Sequence, residues 1–272
     1  MISPPNFVIF RRAFNGWFRS ILRKANHDPK TNKVTLGNRY YCIGDIHGCV
    51  NELQELNSLI LDDSANFSGK KVVIYLGDYV DRGIDSRGVI DYLLDSPLPE
   101  FESIYLMGNH EHFLLRFLED ISVGEPWLRF GGLETLESYD INIEKHPKTA
   151  SDFQDIQTRF IAAFPMLHKM FLLNCLLSYE IGDYFFCHAG INPRVPLNKQ
   201  SEEDLLWIRD EFLGYQKHHE KVIVHGHTIF EQPEILHNRI GIDTGAYRSG
   251  ILSCLVLEGE TKRIIQTKLK NA

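Results

Sequence analysis

The chain has 272 residues, 43% hydrophobic and 24% charged, enough for one large α/β domain or two small ones; the pattern below favours one. Lys and Arg number 29 against 36 Asp and Glu, a formal charge of −7, which argues against a general nucleic-acid binder because such a surface must be basic to displace counterions. No run reaches the ~18 apolar residues of a membrane span, no signal-peptide pattern is found, and Cys42, Cys49, Cys175, Cys187 and Cys254 show no CxxC pair and no even framework, so reduced thiols in a cytoplasmic protein are expected.

The first element predicted is a basic aromatic arm. Residues 7–24 carry Arg11, Arg12, Arg19, Arg23 and Lys24 with no acid before Asp28, and helical spacing puts Phe10, Phe14, Trp17 and Ile21 on one face. This reads either as a helix drawn to an anionic membrane surface, or a transit peptide, or as an arm folded on its own domain or on a partner chain. The arm is the favoured reading, because Gly16 weakens the helix and one short amphipathic segment binds membranes marginally. With the polar, turn-rich stretch 27–38 as linker, the arm and linker occupy 1–38 and the domain 39–272.

From Tyr40 strand and helix alternate. Tyr40-Tyr41-Cys42-Ile43 runs into Gly44-Asp45-Ile46-His47-Gly48, and the apolar run 72–76 runs into Gly77-Asp78-Tyr79-Val80-Asp81-Arg82-Gly83. The run 104–107 leads into Gly108-Asn109-His110-Glu111, where a helix begins. Helices at 50–61 and 86–94 connect these strands, with Leu53, Leu56, Ile60, Val89, Ile90 and Leu93 as buried faces. Asp45 to Asp78 is 33 residues and Asp78 to Asn109 is 31, the length of a strand, a crossover helix and the next strand, so three loops meet on one edge of one sheet. Residues 119–170 then read as a helical insertion. Strands resume at 175–179, 184–187, 222–224, 240–242 and 251–257, and suggest a second, mixed or antiparallel sheet. The expected fold is α/β, with two mixed β-sheets packed as a sandwich and flanked by helices.

Two of the later strands also end in histidine, at His188 and at His225-Gly226-His227. Singly, a histidine after an apolar run is most often a core residue, and an aspartate after glycine a turn residue. Together, Asp45, His47, Asp78, Asn109, His188 and His227 would bury charge without compensation unless a cation joined them. Carboxylate, imidazole and one amide oxygen suit two divalent ions, manganese first and iron or zinc as alternatives, and the lack of thiolate argues against a structural zinc. Asp78 is the natural bridge, since one carboxylate can span two metals ~3.5–4 Å apart. Such a pair acidifies a bridging water and fits phosphoryl transfer to water. His110, next to Asn109, is then the general acid, with Asp81 fixing its tautomer; the plainer alternative is a helix cap. Arg82 is placed to grip two phosphate oxygens.

These motifs resemble the phosphoprotein phosphatase family of calcineurin-like metallophosphoesterases over roughly 40–257, nearest to the bacterial and bacteriophage-type serine/threonine phosphatases. Leu206-Trp207-Ile208-Arg209 and Ile242-Asp243-Thr244-Gly245-Ala246 look like two further stretches of that group. The resemblance implies one metal on Asp45, His47 and Asp78, and the other on Asp78, Asn109, His188 and His227. It makes Arg209 the second phosphate-binding arginine and leaves His225 a supporting role; residue physics alone would leave Arg209 as a solvated helix residue. It also implies hydrolysis of phosphoserine and phosphothreonine on proteins or peptides, with phosphotyrosine a further candidate, by attack of a metal-bridging hydroxide.

The alternative enzyme is a dinucleoside polyphosphate hydrolase of the diadenosine tetraphosphate type, which needs extra basic or aromatic residues for the second nucleotide. Relatives of that type usually read Val-Ala-Arg-Gly and Gly-Asn-His-Asp where this chain has Asp81 and Glu111, so the phosphoprotein reading is preferred. A remote alternative is a metal-free interaction module that kept the fold; every required ligand type is present, which counts against it.

Overall fold

The computed structural model describes residues 33–268. The basic aromatic stretch 7–24 and the first part of the linker lie outside the described residues. Chain order begins β1 (Asn38–Ile43), α1 (Val50–Ser64), β2 (Lys70–Tyr75), α2 (Ser86–Leu94), β3 (Glu102–Tyr105) and α3 (Asn109–Phe117). A helical stretch follows: α4 (Gly124–Trp127), a π-turn (Leu128–Gly132), α5 (Leu133–Ser138), α6 (Ala150–Ala163) and α7 (Met166–Leu173). Then come β4 (Ser178–Ile181), β5 (Tyr184–Cys187), α8 (Glu202–Trp207), α9 (Asp210–Leu213), β6 (Val222–His225), β7 (Glu234–Ile235) and β8 (Arg239–Gly241). Last are α10 (Ala246–Ser249), β9 (Ser253–Glu258) and β10 (Thr261–Gln266).

The continuous apolar runs of β1, β2, β5 and β6 are buried on both faces, and strand alternation distributes their side chains between two cores. Tyr40, Cys42, Val72 and Ile74 pack against Tyr184, Phe186, Val222 and Val224 between the sheets. On the far side, Tyr41, Ile43, Val73 and Tyr75 meet Leu53, Leu56, Ile60, Val89, Ile90 and Leu93 of α1 and α2. Phe185, Cys187 and Ile223 are covered by Leu205 and Phe212. The layers are therefore helix, sheet, sheet, helix, as expected from sequence.

The first sheet has the order β10-β9-β1-β2-β3, with β1, β2 and β3 parallel and Tyr41 opposite Val73, Ile74 opposite Ile104. The second has the order β4-β5-β6-β8-β7, with β5, β6 and β8 parallel and Val224 opposite Ile240. Both sheets are mixed.

Three sequence expectations differ. The stretch 251–257, grouped by sequence with the later strands, is β9 and lies antiparallel to β1 in the first sheet, Tyr41 opposite Val256. Its residues alternate between the two cores, and a strand buried on both faces carries no signal for which sheet it joins. The edge strands β7 and β10 were not anticipated: β7 has two residues, and Ile264 and Ile265 are the only large apolar residues of β10. The strand expected at 175–179 starts at Ser178, since Leu176 first makes a parallel bridge to Leu106 beyond β3 and joins the two sheets there.

Candidate metal centre

Each of the six expected donors follows the carboxyl end of a parallel strand: Asp45 and His47 after β1, Asp78 after β2, Asn109 after β3, His188 after β5, His227 after β6. All six are at most 5% exposed. Five of the seven described non-glycine residues with positive φ are His47, Asp78, Asp81, Arg82 and His227. Such backbone costs on the order of 1 kcal/mol per residue and persists only where its surroundings over-determine it. They do so here. The amides of Ile46 and His47 both donate to the Asp78 carbonyl, at 3.0 and 2.8 Å. The buried Glu111 carboxylate accepts from the amides of Asp78 (2.8 Å), Tyr79 (2.7 Å), Val80 (3.2 Å) and Gly108 (2.9 Å), tying two of the loops together. Gly108 and Gly226 have no substitute, because a Cβ on either would run into the carboxylate of Asp78 or of Asp45.

The chemistry of the donors fits a cation pair. His47 Nδ1 faces the carbonyl of Val80 at 2.9 Å and His188 Nδ1 that of Leu76 at 2.9 Å, so both nitrogens donate. Each Nε2 then presents a lone pair: that of His47 lies 3.3 Å from Asp78 Oδ2, and that of His188 lies 3.4 Å from Asp78 Oδ2 and 2.8 Å from Asn109 Oδ1. His227 Nδ1 meets the same Asn109 oxygen at 2.9 Å. Protonation does not relieve this crowding, since burial lowers all three imidazoles, His227 to about 2. Burial, and with it the carboxylates of Asp243 and Asp78, raises Asp45 well above the ordinary range. Asp45 Oδ1, His110 Nε2 and His227 Nε2 find no hydrogen-bond partner among the described residues. Ligand atoms of His47, Asp78 and His110 fall within 4.8 Å of one another, as do those of Asp78, His188 and His227, so two groups share Asp78. Arg82 Nη1 donates to His47 Nε2 at 2.8 Å, a cationic donor on a lone pair that a metal could take.

His110 is fully buried, with Nδ1 2.7 Å from Asp81 Oδ2 and Nε2 turned to the cluster, 3.8 Å from Asp78 Oδ2. Burial opposes its charge, but Asp78 and Asp81 outweigh burial and raise its pKa above the ordinary imidazole value. Residues that sequence reasoning passed over hold Asp81 in turn. Trp127 Nε1 donates to Asp81 Oδ2 at 3.0 Å, and Thr135 Oγ1 donates to Asp81 Oδ1 at 2.6 Å. Both belong to the helical insertion, whose sequence gives no sign of this reach.

A cleft of about 580 Å³ adjoins the cluster at His227. Arg82 and Arg209 line it, together with Arg129, Phe130, Tyr247 and Arg248. Arg209 stands exposed between α8 and α9, its Nη1 3.5 Å from Thr228 Oγ1, so residue physics read its exposure correctly but not its place outside a helix, and only the resemblance gave it a role. His225 faces away from the donors. Its ring packs edge-on against Phe212, with centroids 5.0 Å apart, and burial lowers its pKa to about 3. Asp243 is a further buried carboxylate beside Asp45, raised to about 6 chiefly by burial, and its Oδ1 accepts from the Gly245 amide at 2.8 Å.

Residues 39–247 match the calcineurin-like phosphoesterase family. Among similar proteins, one of Oceanobacillus iheyensis named asymmetrical bis(5'-nucleosyl)-tetraphosphatase PrpE is 27% identical over 224 residues, which cover 75% of this chain and 82% of that protein. One of the same name from Anoxybacillus flavithermus is 29% identical over 235 residues, covering 79% and 89%. A solved structure described as a candidate diadenosine tetraphosphatase shares the fold, with a TM-score of 0.54 at 22% identity over 87% of this chain and 98% of that one. The match extends from β1 into α10 and takes in every strand-end loop of the cluster, and the chain belongs to the calcineurin-like phosphoesterase family.

Proposed function

We propose that the protein is a metal-dependent hydrolase of dinucleoside polyphosphates. The observation that carries this reading is the cleft beside the cluster, lined by four guanidinium groups and the rings of Phe130 and Tyr247, more than one phosphoryl group would use. A phosphomonoester needs Arg82 and Arg209 alone; a polyphosphate chain with a base at its end uses the rest. The similar proteins named tetraphosphatases support the same substrate class, and their designation as asymmetrical suggests unequal products.

The two motif differences that favour a phosphoprotein substrate lie outside the lining of the cleft. Asp81 is committed to His110, Trp127 and Thr135, and Glu111 to backbone amides, so neither lines the cleft, and Asp81 acts on a substrate through His110. A phosphoprotein substrate stays as the second reading on one observation. An aromatic groove lined by Phe113, Trp207 and Arg116 lies nearby, with Trp207 against His227, and would suit an apolar peptide side chain.

Asp45, His47 and Asp78 would hold one cation and Asp78, Asn109, His188 and His227 the other, manganese, iron or zinc by donor type; when bound, the pair neutralises phosphoryl oxygens and makes water nucleophilic near neutral pH. Arg82 and Arg209 orient the phosphoryl group by charge-assisted hydrogen bonds. His110 carries a proton on Nε2 toward the leaving oxygen, and Asp81 fixes the ring so that this nitrogen faces the reaction.

The test compares diadenosine tetraphosphate with a phosphoserine peptide, using the full chain in manganese. The expected outcome is a kcat/KM for the dinucleotide at least about 10²-fold higher, the gain of two further charged phosphate contacts. The opposite order would restore the phosphoprotein reading.

A further inference from the structure

The four arginines of the cleft fall into two pairs. Arg82 touches His47 of the donor cluster and stacks its guanidinium over Tyr247, 5.3 Å from the ring centroid; Arg209 comes from the loop beside Trp207, whose ring lies 6.3 Å from that of His227. Arg129 and Arg248 make no contact with the cluster and come from two turns remote in the chain. Arg129 sits on the π-turn, where Gly131, at φ +107°, lies so close to Arg82 that a Cβ would strike its backbone and Cγ. The Arg82 amide also donates to the Gly131 carbonyl at 3.0 Å, which fixes the π-turn to the inner pair.

Arg248 is presented by α10, a single turn held between two left-handed glycines, Gly245 and Gly250. Thr244 Oγ1 pins that turn through the Ile251 carbonyl and Ser253 Oγ, both at 2.8 Å. Tyr247 on the same turn packs edge-on against His47, with ring centroids 5.5 Å apart. Two fixed turns therefore place two exposed guanidiniums on the same cleft as the inner pair. Arg129 has one acidic neighbour, Glu125 one helical turn back, and both side chains stand mostly in water, so the pair is weak and the guanidinium is available to an anion. Among the described residues, Glu134 is the one carboxylate lining the same cleft.

From this arrangement we infer that Arg129 and Arg248 form a distal phosphate subsite that reads the length of the substrate's phosphate chain. The inference rests on the polyphosphate reading above and deepens it. With the reacting phosphoryl group on Arg82 and Arg209, the phosphates beyond it lie against Arg129 and Arg248. A monoester leaves the outer pair empty.

The experiment compares the wild type with the R129Q/R248Q double variant, both as full chains in excess manganese. For the wild type, kcat/KM should rise from diadenosine diphosphate through tri- to tetraphosphate, and inorganic tripolyphosphate should inhibit more strongly than orthophosphate. In the double variant both preferences should flatten. The ratio of kcat/KM for diadenosine tetraphosphate to that for p-nitrophenyl phosphate should fall about 10²-fold, roughly tenfold per charged contact. Arg129→Lys with Arg248→Lys should fall between, since lysine keeps the charge and loses the fork. A double variant that keeps the chain-length dependence and the tripolyphosphate preference overturns the subsite, while cleavage of diadenosine tetraphosphate by the wild type still upholds the function. A wild type that ignores the dinucleotide, yet loses its tripolyphosphate preference in the double variant, overturns the nucleotide reading and upholds the subsite.

Discussion

At the floor of the cleft six donor side chains are each at most 5% exposed, whereas on its rim the Arg129 side chain is 72% exposed. The floor is assembled from five strand-end loops belonging to both sheets, with positive-φ backbone held by Glu111 and by close-packed glycines. The rim comes from short turns, on the helical insertion and on α10, that hold their guanidiniums loosely. Buried donors tolerate no replacement because each lost contact strands another polar group, while exposed arginines can be exchanged at little cost to folding. On the proposed function, chemistry and substrate choice belong to different parts of the molecule.

The sharpest way to break that division is at the floor. Asp78→Asn should remove the charge shared by both groups and abolish metal loading at one or both positions, with turnover falling to background; elemental analysis and an assay with p-nitrophenyl phosphate check it. Next in size is His110→Asn, expected to keep the metals and lose about 10²–10⁴-fold in turnover on an alkyl phosphate ester. The loss should be smaller on diadenosine tetraphosphate, whose phosphate leaving group depends less on a proton donor. Equal metal loss in this variant would move His110 among the ligands, a role its distance from Asp78 leaves open. The smallest effect tests whether the insertion serves the floor as well as the rim. Trp127→Phe keeps an aromatic ring between Phe117 and Phe160 and removes the donor to Asp81. Turnover should fall roughly tenfold, the worth of one hydrogen bond to a charged group. Unchanged turnover would confine the insertion to packing and the rim.

Much of the floor was legible beforehand, because the donors follow apolar runs, in most cases across a glycine, as at Ile43-Gly44-Asp45 and Leu76-Gly77-Asp78. Trp127 and Thr135 were not legible. Their bonds to Asp81 span 46 and 54 residues, and the periodicity of their helices reports only which face is apolar. Asp81 and Glu111 were read from sequence as pointers to substrate. The structure shows that both are buried: Glu111 anchors backbone amides, and Asp81 bears on the substrate only through His110.

The sequence by itself determined most of the strands, the crossover spacing and which polar side chains follow the strand ends, since these depend on patterns a few residues long. The tertiary structure alone decided that β9 joins the first sheet and that Arg129 and Arg248 line the same cleft as Arg82 and Arg209. Pairing partner and the meeting of distant surface turns are settled by how buried faces fit together, and local pattern does not encode that fit.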